Sequence, residues 1–260
     1  MSNSKVVLLL GANSDVAKEA ILLYVGQGYR VIAASRSTEE LERFAAQLTS
    51  GDKPTRSAQS WGTDQTISFK NPVTVLSFDA TDFNSHRTFY DGLPEKPHIV
   101  VYAAGWQIVN DAALVDWPGT YRMMNTHYCG AVSILNIIAM DLGNERLERI
   151  IGLSSLSGVR GRKSNFIYGS TKAAFTQYLA GLRQYLFDRN IQVNVIVAGY
   201  IRTKMTKGLD LPESLILEPF YIAKAVVGAG KGFAIVPGFK WKIIYWILKL
   251  LPEQLVAKLP

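Results

Sequence analysis

Three side chains between residues 150 and 172 have the types and the spacing that acid–base chemistry requires. Tyr168 and Lys172 are four residues apart, so on a helix they share one face. A tyrosine has an ordinary pKa of about 10, which a neighbouring ammonium lowers toward the useful range. Ser155 comes thirteen residues before Tyr168, at the predicted end of a strand, where its hydroxyl would polarise a carbonyl. These side chains are candidates for proton transfer to a carbonyl oxygen, and packing is the alternative for Tyr168 taken alone.

The elements that must position these side chains alternate between short β-branched runs and longer amphipathic stretches. Helices are predicted at about residues 15–26 and 38–48. Strands are predicted at residues 6–11 and 30–35, and in the segments VTVLSF, HIVVYAAG, RIIGLSS and VNVIVAG. Near-continuous apolar strands between helices are typical of a parallel sheet that is covered on both faces. The pattern predicts the α/β class, as a single Rossmann-type, doubly wound parallel sheet with helices on both faces.

The length and composition suit one such domain, with 260 residues of which 48% are hydrophobic and 19% are charged. Residues 1–238 are predicted to form this domain, and residues 239–260 an apolar and basic C-terminal extension. The polar segment 50–72 shows little periodicity and is predicted to be a surface loop or a small excursion.

A cytoplasmic location is predicted from three features of the sequence. The single cysteine, Cys129, excludes an intrachain disulfide and fits a reducing compartment. The apolar run VVLLLG is too short for the core of a signal peptide. No stretch reaches the roughly 18 apolar residues that a membrane-spanning helix needs.

The first predicted strand runs into GANSDVA, where a helix is predicted to begin. A tight turn at this place would aim backbone N–H groups and a helix N-terminus at a pyrophosphate. Gly11 lets the chain turn, Ala17 can replace a third glycine, and Asp15 stands where a second glycine is often found. The alternative is a plain strand-to-helix turn capped by Ser14 or Asp15.

The end of the second predicted strand favours one nicotinamide cofactor over the other. Ser35 is followed by Arg36, and no carboxylate comes before Glu39. A guanidinium beside a small hydroxyl suits a 2′-phosphate, so NADP(H) is predicted in preference to NAD(H). The alternative is a solvated surface arginine.

The combination of motifs resembles the short-chain dehydrogenase/reductase family over essentially the whole chain. The glycine turn, the YxxxK pair of Tyr168 and Lys172, and Ser155 all match family positions. Asn125 in MMNTHYCG matches the family's helix asparagine. In YAAG, Tyr102 and its neighbour replace two commoner asparagines. In AGYIRT, alanine replaces the family's proline, and the threonine is retained.

The resemblance implies a role for each of four residues. Tyr168 would donate a proton to the carbonyl oxygen as hydride arrives from the nicotinamide. Lys172 would lower the pKa of Tyr168 and hold the nicotinamide ribose. Ser155, favoured over Ser154 by the family spacing, would orient the carbonyl. Asn125 would hold a water for proton relay to Lys172.

The resemblance also implies the cofactor-binding positions, with Asp79 beside the adenine and Thr203 near the carboxamide. The full set is Gly11, Asn13, Ser14, Asp15, Val16, Ser35, Arg36, Asp79, Ala80, Ala103, Ala104, Gly105, Tyr168, Lys172, Gly199, Ile201 and Thr203. Trp106 follows YAAG and lines the substrate cleft or packs in the core. The three histidines have no ligand-like spacing, so no metal site is predicted.

The C-terminal quarter carries much of the net charge of +7, with nine basic and four acidic residues from residue 199 onward. No nucleic-acid-binding motif accompanies this charge, so nucleic acid is not predicted as a partner. Residues 239–251 combine three lysines, two tryptophans and Tyr245 with aliphatic residues. This composition suits a peripheral contact at the inner face of a membrane. It suits equally a helix that packs against its own domain or a partner subunit, with its lysines extended outward.

The tail, together with RGRKSNFIYGSTK and RTKMT, resembles a subgroup of the family, the decaprenylphosphoryl-2-keto-ribose reductases. That resemblance implies reduction of a ketone or keto-sugar on a polyprenyl-phosphate-linked or other amphiphilic substrate. Five basic residues would then form an anion-binding rim near the active site, and the alternative is a solvated basic face. These residues are Arg160, Arg162, Lys163, Arg202 and Lys204. The alternative substrate is a soluble small carbonyl, steroid-like or acyl. The family resemblance also implies a homodimer or homotetramer built on the helices that carry Asn125 and Tyr168.

Overall fold

A computed structural model describes residues 4–50 and 73–258, so most of the predicted excursion at 50–72 lies outside the described residues. Seven parallel strands form one sheet in the order β3-β2-β1-β4-β5-β6-β7. The strands are β1 (Val6–Leu10), β2 (Arg30–Ser35), β3 (Val73–Ser77), β4 (Ile99–Tyr102), β5 (Arg149–Ser155), β6 (Gln192–Ala198) and β7 (Ala234–Ile235). The two-residue strand β7 was not predicted.

The α-helices of the described ranges alternate with these strands. They are α1 (Asp15–Gly26), α2 (Glu39–Ser50), α3 (Ser85–Asp91), α4 (Asn110–Val115), α5 (Trp117–Met124), α6 (Gly130–Met140), α7 (Phe166–Tyr185), α8 (Pro219–Val227), α9 (Phe239–Leu250) and α10 (Glu253–Val256). A π-helical turn, Asn125–Cys129, joins α5 to α6. The predicted helices at about 15–26 and 38–48 correspond to α1 and α2.

The fold class predicted from the sequence is confirmed, because both faces of the sheet are covered by helices. Alternate residues of the fully buried strand β1 belong to two separate clusters. Leu8 and its neighbours on one face pack with α3, α6, α7 and α9. Leu9 on the other face packs with α1, α2 and α8. Burial on both sides explains why the strand reads as an unbroken apolar run.

The strand order reverses between β1 and β4, which lie side by side. Leu10 pairs with Ala34 of β2 on one side and with Tyr102 of β4 on the other. In open α/β sheets a crevice forms at this switch point, outside the carboxyl ends of the strands. The predicted functional motifs follow the carboxyl ends of β1, β2, β4, β5 and β6.

Helix α9 packs into the core of this domain along one of its faces. Trp241, Tyr245 and Leu248 are buried in the cluster that also holds α7. The indole Nε1 of Trp241 donates to the carbonyl of Leu215 at 2.8 Å, and its ring meets that of Tyr200 edge to face. The buried face of α9 therefore agrees with one of the two roles predicted for residues 239–251, namely contact with the protein's own domain. None of the helices among the described residues is long and apolar enough to cross a membrane.

Candidate active site

A cavity of about 480 Å³ opens at the carboxyl ends of the central strands. Most of the predicted cofactor-binding residues line this cavity together. They are Gly11, Asn13, Ser14, Asp15, Val16, Ser35, Arg36, Asp79, Ala80, Ala103, Ala104, Gly105, Tyr168, Lys172, Ile201 and Thr203. Asn125, Ser155 and Gly199 are not among the lining residues of the described chain.

Several lining residues were missed by the sequence analysis, and most of them directly adjoin a motif that it identified. They are Phe78, Gln107, Thr126, Leu153 and Met205. Extending each motif by one or two residues would have found nearly all of them. Ala198, which the sequence matched to a family motif, and Lys204, which was predicted in the basic rim, line the cavity as well. Trp106 also lines the cavity, which supports the cleft position that was one of its two predicted alternatives.

The turn after β1 packs directly against the chain that follows β4. Gly11 has φ +85°, and a Cβ atom at this position would lie 2.3 Å from the backbone nitrogen of Ala104. Only glycine therefore allows this backbone approach. Ser14 caps α1, because its hydroxyl accepts from the backbone N–H of Ala17 at 3.1 Å. The helix N-terminus consequently faces the cavity, as a phosphate-binding turn requires.

Asp15 makes a contact that the sequence did not reveal. Its carboxylate accepts a hydrogen bond from the backbone N–H of Lys204 at 2.8 Å. The ammonium of Lys204 pairs with Glu40 at 2.6 Å, and Lys18 pairs with the same carboxylate at 2.5 Å. These two cations lower the pKa of Glu40 to about 2. The segment after β6 is thus tied across the cavity rim to α1 and α2, and we call this set the rim strap (Asp15, Lys18, Glu40 and Lys204).

Tyr168, Ser155 and Lys172 lie close together on β5 and the first turns of α7. The Ser155 side chain lies close enough to the phenol of Tyr168 to lower its pKa. The backbone N–H of Ser157 donates to the Ser155 oxygen at 3.2 Å, which leaves the Ser155 hydrogen free to be donated. The ammonium of Lys172 lies 5.8 Å from the centre of the Tyr168 ring and donates to the carbonyl of Leu153 at 3.1 Å.

The protonation of these groups differs from the sequence-based expectation. Burial raises the pKa of Tyr168 to about 12, and the Ser155 side chain opposes this rise without reversing it. Lowering by Lys172, which was predicted, is not among the causes. Burial lowers the pKa of Lys172 itself to about 8. Near neutrality the site therefore holds a protonated phenol beside an ammonium, a state suited to donating a proton.

Ser154 and Ser155 are distinguished by their hydrogen bonds. Ser154 lines the cavity, but its hydroxyl lies 2.7 Å from the Thr176 hydroxyl and 3.1 Å from the Lys172 carbonyl. Both partners lie on α7, so these bonds already engage the Ser154 hydroxyl. Ser155 is the serine whose side chain affects the pKa of Tyr168, and its catalytic role stays a prediction.

Asn125 begins the π-helical turn, and its backbone carbonyl accepts from the N–H of Gly130. A Cβ at Gly130 would lie 2.0 Å from the carbonyl oxygen of Ala80. Glycine therefore lets the turn pack against the segment that follows β3, which also carries Asp79. One carboxylate oxygen of Asp79 accepts from both the backbone and the hydroxyl of Thr81 at 2.8 Å.

Two predictions, a cofactor contact by Gly199 and a basic rim, differ from what the structure shows. A Cβ at Gly199 would lie 2.1 Å from the Trp241 ring, so this glycine makes room for α9 and does not face the cavity. The predicted basic rim is also largely engaged. Arg202 pairs with Glu213 and Glu218, Lys204 pairs with Glu40, and the Arg160 guanidinium donates to the carbonyl of Lys249.

The fold and the cavity together define a Rossmann-type oxidoreductase. The pattern described as "short chain dehydrogenase" matches residues 5–213, and the chain belongs to this family. An uncharacterized oxidoreductase of Mycobacterium tuberculosis is 24% identical over 262 residues, covering 98% of this chain and 96% of that protein. A dehydrogenase/reductase SDR family protein 7-like of Drosophila melanogaster is 26% identical over 205 residues, covering 78% of this chain and 59% of that longer protein.

Solved structures share the fold along almost the whole chain. A short chain dehydrogenase from Burkholderia cenocepacia in complex with NADP has a TM-score of 0.77 at 17% identity, covering 99% of this chain and 98% of its own. A short-chain dehydrogenase from Sphingobium yanoikuyae in complex with NADPH has a TM-score of 0.76 at 18% identity, covering 98% and 96%.

Proposed function

We propose that the protein reduces a ketone or keto-sugar to an alcohol with NADP(H) as its cofactor. The observation that carries this proposal is the position of Tyr168 and Lys172 at the cavity wall, with the Lys172 ammonium 5.8 Å from the centre of the Tyr168 ring. A hydroxyl donor, a proton donor and a nearby cation are the groups that carbonyl reduction needs.

The residues present fit a nicotinamide dinucleotide with a 2′-phosphate. Gly11 brings the capped start of α1 to the cavity wall. Arg36 is exposed at the rim and makes no ion pair within the described ranges, so its guanidinium is available for a phosphate. Asn13 lines the cavity, and its buried amide oxygen lacks a partner among the described atoms. The two related structures named above hold NADP and NADPH, which supports the same choice.

When bound, the nicotinamide would supply the hydride. Ser155 holds the substrate carbonyl by donating its free hydroxyl hydrogen, and Tyr168 gives its phenolic proton to the same oxygen as negative charge develops there. Lys172 stabilises the phenolate that remains, since its ammonium lies on the same side of the cavity. Asn125 begins the π-helical turn, and by the family resemblance it would hold the water of a proton relay to Lys172.

We propose an amphiphilic substrate, as in the polyprenyl-phosphate-linked keto-sugar subgroup that the sequence resembles. Helix α9 lies against residues 199–217, and Ile201, Thr203 and Met205 of that segment line the cavity. The outer face of α9 is apolar and exposed, and its residues are Phe239, Ile243, Trp246, Ile247 and Leu250. With three lysines and no acidic residue, α9 would rest on an anionic membrane surface and place the cavity near lipid-linked substrates.

A soluble steroid-like or acyl carbonyl is the second candidate, favoured by the apolar lining from Phe78, Trp106 and Met205. Sedimentation with anionic vesicles separates the two. We expect the wild type to bind them and Trp246→Ser/Ile247→Ser to bind at least about tenfold less. Leu142→Ser, at an exposed leucine outside α9, is the matched control. Equal binding of all three proteins would remove the support for a membrane-bound substrate.

We also propose a homodimer or homotetramer built on α6 and α7. A groove of about 560 Å³ between these helices is lined by Met140, Tyr178 and Tyr185, and Met140 and Tyr185 are exposed. An exposed apolar groove of this kind is typical of a protein interface. Sedimentation velocity of the wild type and Tyr185→Asp tests it, since a charge in the groove is expected to shift the protein toward the monomer.

The experiment that tests the proposed reaction is NADPH oxidation with a panel of carbonyls. The panel contains polyprenyl-phosphate-linked keto-sugars, steroid-like ketones and acyl ketones. We expect NADPH to be consumed in step with alcohol formation for at least one of these classes. No turnover with any class, by a protein that binds NADPH, would overturn the proposal.

A further inference from the structure

His127 is a fully buried histidine within the π-helical turn, two residues after Asn125. Its imidazole lies between two parts of the cavity wall. One is the chain after β4, and the other is the first turns of α7, which carry Tyr168. No role was predicted for this residue from the sequence, because the three histidines have no ligand-like spacing along the chain.

The hydrogen bonds of His127 fix the position of its proton. Its Nε2 accepts from the backbone N–H of Trp106 at 3.1 Å, since a backbone nitrogen can only donate. The proton therefore sits on Nδ1 and is donated to the hydroxyl oxygen of Thr171 at 2.8 Å. Thr171 in turn donates to the backbone carbonyl of Tyr168 at 2.7 Å. A chain of three hydrogen bonds in one direction thus runs from Trp106 to Tyr168.

The same imidazole packs against the phenol ring. The ring centres of His127 and Tyr168 are 5.3 Å apart with an interplanar angle of 82°, an edge-to-face contact. A Cβ atom at Gly105 would lie 3.0 Å from His127 Nε2, so glycine is what admits the ring. Burial and the charge of Lys172 both lower the pKa of His127 well below its usual value, which keeps the imidazole neutral.

We propose that His127 is a positioning residue that sets the location of the Tyr168 phenol relative to the cavity wall at Trp106. Two kinds of contact made by the imidazole produce this effect. Its edge contact limits the phenol laterally, and its hydrogen bonds hold the first turn of α7 against the chain after β4. This inference rests on the proposed role of Tyr168 as proton donor.

A second buried histidine provides an internal contrast. Nε2 of His86 faces the backbone carbonyl of Asp79 at 3.0 Å, so that nitrogen must carry the proton. Its Nδ1 accepts from the Ser133 hydroxyl at 2.8 Å. The two buried histidines are therefore expected as opposite tautomers. Nitrogen-15 spectra of the imidazoles should show the Nδ1–H form for His127 and the Nε2–H form for His86, assigned by His127→Phe and His86→Phe. An Nε2–H form at His127 would overturn the hydrogen-bond chain.

Kinetics of matched variants test the positioning. His127→Phe keeps an aromatic ring but loses both hydrogen bonds, and Thr171→Val breaks the chain one step further on. We expect both to lower kcat by about 10- to 100-fold while KM changes by less than about threefold, because misplacement affects the reacting geometry and not ground-state binding. His127→Asn, whose amide can restore the bond to Thr171, should recover most of the lost kcat.

The control is Asn144→Ala, which removes a buried side chain hydrogen-bonded to the Pro97 carbonyl at the opposite, amino-terminal edge of the sheet. It should lower the thermal midpoint but leave kcat and the NADPH dissociation constant unchanged. An unaltered kcat in His127→Phe would overturn the inference. So would a loss of NADPH affinity as large as the loss of kcat.

The two proposals can fail separately. If the wild type reduces no carbonyl, the proposed function fails, and a spectroscopic readout decides the inference. The carbon-13 resonance of the Tyr168 ring, assigned by its loss in Tyr168→Phe, should shift in His127→Phe and remain in place in Asn144→Ala. A resonance that does not move in His127→Phe would overturn the positioning role without any reference to turnover.

Discussion

The two ends of the cavity hold their polar groups in opposite ways. At the Tyr168 end, the groups are largely removed from water, and hydrogen bonds to neutral partners within the chain fix them, as at His127 and Lys172. At the Arg36 end, the groups are exposed or half-buried and carry full charges, as in the rim strap. Electrostatic interactions are stronger between buried groups, but the burial of polar groups costs folding free energy. Exposed ion pairs contribute little to stability. Chemistry should therefore depend on the first end, and cofactor choice on the second.

The largest expected effect is at the buried end. Tyr168→Phe removes the proton donor and leaves the ring packing with His127 in place. We expect kcat to fall by about 10²- to 10⁴-fold, the usual contribution of a general acid. NADPH affinity, measured by fluorescence, should change by less than about twofold, because the phenol is at the reacting end. A variant with kcat near that of the wild type would show that another group donates the proton.

Lys172→Met should separate activity from stability. Burial lowers the pKa of Lys172 from 10.5 to about 8, so its ammonium destabilises the folded chain below pH 8. At about 1.36 kcal/mol per pKa unit, the variant should be more stable than the wild type by roughly 3 kcal/mol at neutral pH while losing most activity. Urea unfolding should show this gain shrinking as the pH rises from 8 toward 10.5, where both states lose the charge. A variant less stable than the wild type at neutral pH would contradict the buried-charge argument.

A smaller effect is expected from Arg36, at the exposed end. Arg36→Ala should weaken NADPH binding by about 10- to 100-fold, because it removes hydrogen bonds between the guanidinium and the 2′-phosphate. NADH lacks this phosphate, so its binding should be unchanged. The preference should also weaken as salt is added. Arg43→Ala, at an exposed arginine whose side chain contacts the backbone of Glu39, is the control. Equal losses for NADPH and NADH would place Arg36 outside 2′-phosphate recognition.

The smallest expected effect is that of the rim strap on stability. Lys204→Ala removes an exposed ion pair and should change the free energy of unfolding by less than about 1 kcal/mol. Asp15→Ala removes the acceptor of the Lys204 backbone N–H and should cost more, about 1 kcal/mol. Urea unfolding at moderate salt measures both. The reverse order would mean that the ion pair, and not the backbone hydrogen bond, holds the strap.

The same two ends show what the sequence can predict. The strands β1 to β6, the helices α1 and α2 and most lining residues were predictable because they follow from local periodicity and from motifs at strand ends. The bond between Asp15 and Lys204 joins residues 189 positions apart, and no local pattern encodes it. The displacement of Gly199 from the cavity depends on where α9 packs. The raised pKa of Tyr168 depends on burial, which only the assembled fold supplies.

The most direct test of the central claim follows a hydride label. The protein is supplied with NADPH deuterated at both positions of the nicotinamide C4 and with a ketone from the panel, and the alcohol is examined by mass spectrometry. We expect deuterium on the carbinol carbon with the wild type and a rate at least about 10²-fold lower with Tyr168→Phe. Alcohol formed without the label, or no alcohol from a protein that binds NADPH, would contradict the assignment of this cavity to carbonyl reduction.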